Sequence, residues 1–206
     1  IEIPVITSPY THIHVALNGD YLGTFDIRDK IKADSKATIS TLIQEGYRVL
    51  MLTGDRRETA QAVANEIGIT EVKSELLPAD KYEVVMSLIK EGKNVAFVGD
   101  GINDAPVLAG AHVGISMGAI GSDAAIEASD VVLITDEPSK IIKAIKISKK
   151  TKQIVTQNIV FALGTKLIIM ALGTVGLSSM WMAIFADVGV ALIAVLNATR
   201  VLHYKA

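Results

Sequence analysis

The sequence contains no cysteine, few aromatic residues and very few charges in its last quarter. The absence of cysteine from all 206 residues excludes disulfides and cysteine-based zinc sites within this chain. Half of the residues are hydrophobic and the formal net charge is −2, which excludes a disordered chain and a basic nucleic-acid-binding protein. Of 20 basic and 22 acidic side chains, only four lie in residues 153–206. This distribution predicts a soluble part followed by a membrane part.

The beginning of the sequence indicates a piece of a longer protein. The chain starts at Ile1 rather than at methionine, and no basic run leads into an apolar run as in a signal peptide. We therefore expect further segments upstream.

A β-hairpin is predicted near the start. Polar and apolar residues alternate over 11–17, Asn18-Gly19-Asp20 favours a tight turn, and 21–27 form the return strand. His12 and His14 share one face of the first strand, at a spacing that could hold a metal ion. Two polar residues on a solvated face are the more common explanation, and we favour it.

From Asp34 onward the sequence alternates between strands and helices, which predicts a mostly parallel sheet covered by helices, an α/β fold. Asp34 or Ser35 can cap the first helix, which ends before Gly46. Strands are predicted over 48–52, 94–98, 112–116 and 130–134, and helices over 35–45, 56–67, 81–91 and 122–128, with another beginning at Pro138.

Two predicted strands end in glycine-rich loops that carry carboxylates. These are Thr53-Gly54-Asp55 and Gly99-Asp100-Gly101-Ile102-Asn103-Asp104. Ligands bind at the carboxyl ends of parallel strands, and glycines let backbone N–H groups approach an anion. Carboxylates next to a phosphate require a cation between them, and Asp100, Asn103 and Asp104 offer the oxygen ligands that Mg²⁺ prefers. Thr53 can donate to a phosphoryl oxygen, and Lys81 can neutralise its developing charge.

These motifs, together with Pro78-Ala79-Asp80-Lys81, resemble the phosphorylation domain of P-type ATPases, a haloacid-dehalogenase-like (Rossmann-like) fold. The resemblance implies ATP and Mg²⁺ as cofactors, with Mg²⁺ bound by Asp100 and completed by Asp104 and Asn103. It also implies that Thr53, Gly54 and Asp55 line the phosphoryl pocket and that Lys81 contacts the phosphoryl group. Residues 1–26 then resemble the end of the nucleotide-binding domain, and residues 27–152 the phosphorylation domain.

The nucleophile of this family is an aspartate in an Asp-Lys-Thr-Gly-Thr segment, and no such segment occurs in this sequence. In the family that segment lies upstream, with the actuator domain and six further spans. We therefore expect the chain alone to be inactive and the remaining domains of the same pump to be its partners.

Residues 153–206 are predicted to form a transmembrane hairpin. Two apolar stretches, 154–177 and 180–202, are each long enough to cross a hydrocarbon core of about 30 Å, and a short turn joins them. Lysines precede the first stretch, and Arg200, His203 and Lys205 close the second. The positive-inside rule then predicts a protein of the cell membrane whose soluble domain and C-terminus lie on the cytoplasmic side.

Lys166 and Asp187 are the only charges between residues 153 and 199. Charges inside a membrane are costly and are functional candidates by default. Counted from the turn, both lie at a similar depth, roughly 16 and 12 Å, so they can form an ion pair. The pair either fixes helix register, or Asp187 binds a transported divalent cation while Lys166 serves as its counter-charge.

The surrounding residues resemble the last two spans of heavy-metal-transporting P-type ATPases of the zinc/cadmium/lead branch. The matching segments run from Gln157 to Lys166, from Ala186 to Val190 and from Leu196 to Arg200. The resemblance implies ATP-driven export of Zn²⁺, Cd²⁺ or Pb²⁺ through an aspartyl-phosphate intermediate. The alternatives are a non-catalytic fragment that binds a full pump, a membrane-anchored phosphatase of the same fold, or a pump of the potassium or copper branch.

Overall fold

The structure, a computed structural model, describes residues 11–27, 29–99, 102–118 and 123–204. The chain divides into two compact units, Ile1–Ile141 and Ile142–Ala206.

The predicted N-terminal hairpin is confirmed. Strands β1 (Thr11–Leu17) and β2 (Asp20–Ile27) pair antiparallel, and Asn18 and Gly19 both adopt positive φ in the turn. Cross-strand hydrogen bonds of 2.7 Å join Nδ1 of His12 to Asp26 and Nδ1 of His14 to Thr24. Within the described part of the chain, no three histidine or acidic side chains are placed to hold a metal ion. The side chain of His12 is 14% exposed, and the interpretation of both histidines as polar residues of a strand face stays a prediction.

The rest of the first unit alternates strands and helices as predicted. In chain order its elements are α1 (Ser35–Gln44), β3 (Leu50–Leu52), α2 (Arg57–Ile67), β4 (Glu71–Lys73), α3 (Pro78–Lys90), β5 (Ala96–Gly99), a 3₁₀ turn (Ile102–Asp104), α4 (Ala105–Gly110), β6 (Val113–Met117), α5 (Asp123–Glu127) and β7 (Val131–Leu133). Helix α2 shows why these bounds arise. Its Ala60 and Ala64 lie one turn apart and are fully buried, and Gly68 ends the helix in the left-handed conformation.

All strand pairs that follow the hairpin are parallel, as the sequence predicts. β3 pairs with β4, and a second sheet has the order β5-β6-β7. Val85 of α3 and Val107 and Leu108 of α4 are buried, forming part of the core. Helix α4 packs closely on β6, because a Cβ on Gly114 would lie 2.5 Å from the carbonyl oxygen of Leu108. The carboxyl ends of β3 and β5 carry the two predicted glycine-rich loops.

The second unit contains two helical segments that are long and apolar enough to cross a membrane by length and composition. Helix α6 (Ser139–Thr174) begins in the first unit and is one uninterrupted helix of 36 residues. The second segment runs over Met180–Val201 and comprises α7 (Met180–Ile184), a π-helical turn (Phe185–Gly189), α8 (Val190–Ala198) and a final 3₁₀ turn. The break between the segments lies at the predicted turn.

Three local details differ from the sequence predictions. Helix α3 begins at Pro78 rather than at Lys81, because proline suits the first helical turn and the Asp80 carboxylate accepts the Leu77 N–H at 2.8 Å. Two short elements, strand β4 and helix α4, had not been predicted. Asp34 occupies the position before α1, but its carboxylate does not cap that helix and instead accepts the backbone N–H of Ser139, at 2.8 Å.

Candidate functional site

The loop after β3 is built around the hydroxyl of Thr53. Oγ1 of Thr53 donates to the Asp55 carboxylate at 2.8 Å and accepts the Asp55 backbone N–H at 3.1 Å. Between them, a Cβ on Gly54 would lie 3.3 Å from the Leu76 carbonyl oxygen, so a side chain there would crowd the neighbouring loop. The predicted residues Thr53, Gly54 and Asp55 therefore form one compact turn at the end of β3.

The loop after β4 forms hydrogen bonds to the 53–55 turn and leads into helix α3. The Leu76 N–H donates to the Thr53 carbonyl at 3.1 Å, and the Glu75 N–H donates to the Asp55 carbonyl at 2.9 Å. Glu75 holds a left-handed φ of 58°, which is costly for a residue with a side chain and is maintained here by the bond to Asp55. These contacts fix the start of α3 beside the end of β3.

Lys81 and Asp104 join α3 to the loop after β5. Nζ of Lys81 lies 2.9 Å from Oδ1 of Asp104, and their side chains are 19% and 13% exposed. Asp104 ends the 3₁₀ turn that follows β5, and a Cβ on Gly99 would lie 3.0 Å from its Oδ2. The lysine thus stands next to the carboxylate in a partly buried position, where an ion pair is stronger than on an open surface.

The structure places the predicted residues Thr53, Gly54 and Asp55 in one turn, and it pairs Lys81 with Asp104. The loop that bonds to the turn leads directly into helix α3, which carries Lys81. Asn103 lies on the same 3₁₀ turn as Asp104, with an exposed side chain. The predicted Mg²⁺ ligand Asp100 lies outside the described residues. An amide and a carboxylate on one turn provide the oxygen donors that suit Mg²⁺, so Asn103 and Asp104 fit this ion.

A second cluster lies in the pair of apolar helices. Nζ of Lys166 on α6 donates to Oδ1 of Asp187 at 3.1 Å, the pairing that the sequence depths predict. Asp187 sits in the π-helical turn Phe185–Gly189. Single π-helical turns within α-helices occur frequently at functional sites. Both charged side chains are more than half exposed within this chain, which leaves them accessible to further ligands.

An amide network between the middle of α6 and the end of the second segment had not been predicted. The Asn158 amide donates to the Ala194 carbonyl at 3.1 Å and accepts from the Asn197 amide at 2.8 Å, and Arg200 donates to Asn197 at 2.9 Å. Both asparagines are partly buried among exposed neighbours. The sequence did contain a signal for this network, because asparagines within apolar membrane helices need hydrogen-bond partners where water is absent.

Comparison with known proteins identifies the family. Residues 6–112 match the haloacid dehalogenase-like hydrolases, slightly more than half of the chain. The chain belongs to the haloacid dehalogenase-like hydrolase family. This confirms the predicted fold, in which the Thr53 and Asp104 loops follow parallel strands of the hydrolase domain.

This haloacid dehalogenase-like chain is also similar to metal-transporting ATPases. It is 54% identical over 93% of its length to a zinc-transporting ATPase of Synechocystis, and 50% identical over 95% to a cadmium, zinc and cobalt-transporting ATPase of Bacillus subtilis. The structure of a zinc-transporting PIB-type ATPase in the E2.Pi state superposes with a TM-score of 0.85 at 36% identity, over 94% of this chain and 32% of that one. The resemblance found in the sequence is therefore confirmed.

The chain spans about a quarter of the length of the curated relatives it matches, 27% and 28% of the first two. Its alignment extends past the hydrolase domain into the two apolar helices. The predicted membrane localisation is confirmed by the two helices together with these transporting relatives.

Proposed function

We propose that this chain is the phosphate-binding part and a two-helix membrane part of an ATP-driven exporter of zinc or cadmium ions. The observation that carries the proposal is the Lys166–Asp187 ion pair within two membrane helices, on a chain that also bears the Lys81–Asp104 pair and the Thr53 turn. Phosphoryl chemistry and an intramembrane charge pair on one polypeptide fit a pump. The relatives named zinc-transporting and cadmium-transporting ATPases support this choice of cargo.

In the proposed reaction an aspartate carboxylate attacks the γ-phosphorus of ATP, which releases ADP and forms an aspartyl phosphate. Water later cleaves the aspartyl phosphate to inorganic phosphate and the free aspartate. Lys81 neutralises charge on the transferred group, and the Thr53 hydroxyl exchanges its bond to Asp55 for one to a phosphoryl oxygen. Asp104 and Asn103 would hold Mg²⁺ together with Asp100. The bound Mg²⁺ would neutralise part of the phosphate charge.

The nucleophilic aspartate is supplied by a segment outside this sequence, since no Asp-Lys-Thr-Gly-Thr segment occurs in it. Strand β3 pairs with β4, and β5 pairs with β6. Among the described strands, the other edge of β3 and the other edge of β5 have no partner. The loops that follow both strands carry site residues. A parallel strand inserted between β3 and β5 would end beside Thr53 and Asp104, where the phosphoryl group is handled.

In the proposed transport site, Asp187 offers carboxylate oxygens to a divalent cation and Lys166 is a built-in counter-charge. When the cation arrives, Lys166 yields its place at Oδ1, and when the cation leaves, Lys166 takes that place again. A carboxylate suits Zn²⁺ or Cd²⁺ better than Cu⁺, which prefers thiolate and thioether ligands. The lysine-rich start of α6 and Arg200 near the end of the second segment place both ends in the cytoplasm.

The test is metal-stimulated ATP hydrolysis by the complete purified transporter in lipid. We expect stimulation by Zn²⁺ and Cd²⁺, little response to K⁺ or Cu⁺, and loss of the stimulation in Asp187→Ala. Thr165→Ala is the matched control, because its hydroxyl only bonds to the Phe161 carbonyl of its own helix and the variant should retain stimulation. Full stimulation in Asp187→Ala would refute the proposed ion site.

The same assay separates the remaining alternatives. A phosphatase would release phosphate from simple monoesters, and Zn²⁺ or Cd²⁺ would not stimulate it. If the complete protein is non-catalytic, it will not hydrolyse ATP under any of these conditions. Hydrolysis that depends on both ATP and Zn²⁺ supports the transporter.

A further inference from the structure

The start of helix α1 does not use the side chain that should cap it. Asp34 precedes α1, and aspartate at that position ordinarily accepts a backbone N–H of its own helix. Here only backbone groups form the first hydrogen bonds of the helix. The Ser35 N–H donates to the Lys32 carbonyl at 3.0 Å, and the Thr38 N–H donates to the Asp34 backbone carbonyl at 2.9 Å. The Asp34 carboxylate is therefore available for another partner.

That partner is the first residue of helix α6, 105 positions later in the sequence. The Ser139 backbone N–H donates to Oδ2 of Asp34 at 2.8 Å in a partly buried contact. The next two N–H groups of α6, those of Lys140 and Ile141, bond to the carbonyls of Glu137 and Pro138 at 3.0 Å. Asp34 thus supplies the acceptor that the N-terminus of α6 would otherwise lack, and its negative charge suits the helix dipole.

A second contact joins the same two segments. Lys32 forms an ion pair with Asp136, so residues 32–34 are attached to residues 136–139 at two points. The Ser139 hydrogen bonds also lower the pKa of Asp34, which keeps the carboxylate ionised at neutral pH. An exposed ion pair by itself contributes little, but here Lys32 lies two residues before Asp34 and Asp136 lies three residues before Ser139, so the ion pair and the cap join the same two segments.

The helix that begins at this joint is the one that carries Lys166. Helix α6 runs without interruption from Ser139 to Thr174, and no proline lies within it. Lys166 is 27 residues beyond Ser139, a distance of about 40 Å along an α-helix. A displacement of the N-terminus along the axis can therefore reach the charge pair without a break in the helix.

We propose that Asp34 is a positioning residue that fastens the N-terminus of helix α6 to the start of α1, so that movement in the phosphate-binding unit is passed to Lys166. This role rests on the proposed pumping function. It predicts that loss of the contact uncouples ATP hydrolysis from transport rather than abolishing hydrolysis, because the Thr53 turn and the Lys81–Asp104 pair are untouched.

The experiment measures metal transported per ATP hydrolysed by the complete transporter in sealed vesicles, with Zn²⁺ as cargo. Asp34→Ala should lower this ratio about threefold or more, the scale expected from losing a helix cap. Asp34→Asn keeps an acceptor oxygen and should restore most of the ratio. Glu58→Ala is the matched control, since Glu58 is acidic, exposed and in the first turn of its own helix α2.

Exchanging the charges of the second contact gives an independent check. Lys32→Glu and Asp136→Lys should each lower the ratio, and the double variant should recover it. An unchanged ratio in Asp34→Ala, or hydrolysis and transport falling in proportion, would overturn the coupling role alone. No metal-stimulated hydrolysis in the unsubstituted transporter would overturn the proposed function and the coupling role with it.

Amide hydrogen exchange tests the joint even in a variant without activity. In the complete transporter in detergent, Asp34→Ala should speed exchange in the first turn of α6 and leave the middle of α2 unchanged. If the first turn of α6 exchanges at the same rate in Asp34→Ala and in the unsubstituted protein, the proposed attachment is contradicted.

Discussion

Nζ of Lys81 lies 2.9 Å from Oδ1 of Asp104, so the lysine of helix α3 and the carboxylate after β5 form one partly buried unit. Neither residue has an obvious partner nearby in sequence, and 23 positions separate them. The pair places a positive charge next to the carboxylate that we propose as a Mg²⁺ ligand, in the loop after β5. A phosphoryl group bound there would meet both.

Replacing Lys81 should reduce phosphorylation strongly. Lys81→Ala removes a charged donor from the developing charge and leaves the Asp104 carboxylate without its cation, so phosphoenzyme formation should fall about 100-fold or more. The measurement is acid-stable incorporation of labelled phosphate from ATP into the complete transporter. Lys90→Ala, exposed in the last turn of the same helix, should retain normal incorporation. Equal phosphorylation in both variants would remove Lys81 from the site.

Replacing Lys166 should slow turnover while metal binding persists. In Lys166→Ala the cation keeps its Asp187 ligand but has no counter-charge to displace it, so metal-stimulated hydrolysis should fall about tenfold. Equilibrium binding of Zn²⁺ to the purified transporter, measured beside hydrolysis, separates the two effects. If Lys166→Ala instead loses Zn²⁺ binding while the protein that still binds Zn²⁺ hydrolyses ATP at the normal rate, Lys166 contributes to metal binding and is not a counter-charge.

The packing of α4 against β6 gives a stability prediction. A Cβ on Gly114 would lie 2.5 Å from the backbone carbonyl of Leu108, whereas a Cβ on Gly110 would meet the movable ends of Tyr82 and Met86. Gly114→Ala should therefore destabilise the unit by about 1–3 kcal/mol, and Gly110→Ala by less. Thermal unfolding of the chain in detergent gives the order. Greater destabilisation in Gly110→Ala would contradict the described packing.

The Arg48–Glu71 ion pair should make stability depend on acidity. The Arg48 guanidinium donates to Glu71 at 2.7 Å and lowers the pKa of that carboxyl. A carboxyl with a lowered pKa in the folded state contributes stability above its ordinary value of about 4.3, and the contribution is lost as pH falls through the lowered value.

The wild-type chain should accordingly unfold at a higher temperature than Glu71→Gln at pH 7, by a small margin because the pair is exposed. The margin should shrink below about pH 4. Glu66→Gln, an exposed change on α2, should show no such pH-dependent margin. A Glu71→Gln difference that stayed constant with pH would argue against the ion pair.

Local chemistry explains which features could be predicted from sequence. Asn18-Gly19 specified the hairpin turn and Gly68 the end of α2, because both need positive φ. The Thr53 and Asp104 loops were recognisable because glycines and carboxylates follow apolar strands.

Contacts between distant residues could not be predicted in the same way. Nothing near Asp34 in the sequence indicates Ser139 as its partner, since 105 positions separate them. Strand β4 has only three residues, Glu71–Lys73, and its identity depends on pairing with β3. The π-turn at Asp187 likewise depends on backbone geometry that the apolar sequence does not specify.

The most direct test of the central claim is ATP-driven uptake of radioactive zinc into inside-out vesicles that contain the complete transporter. We expect uptake by the unsubstituted protein, none with Asp187→Ala and normal uptake with the control Thr165→Ala. Uptake by Asp187→Ala at the unsubstituted rate would contradict the claim that this chain contains the ion site of a metal pump.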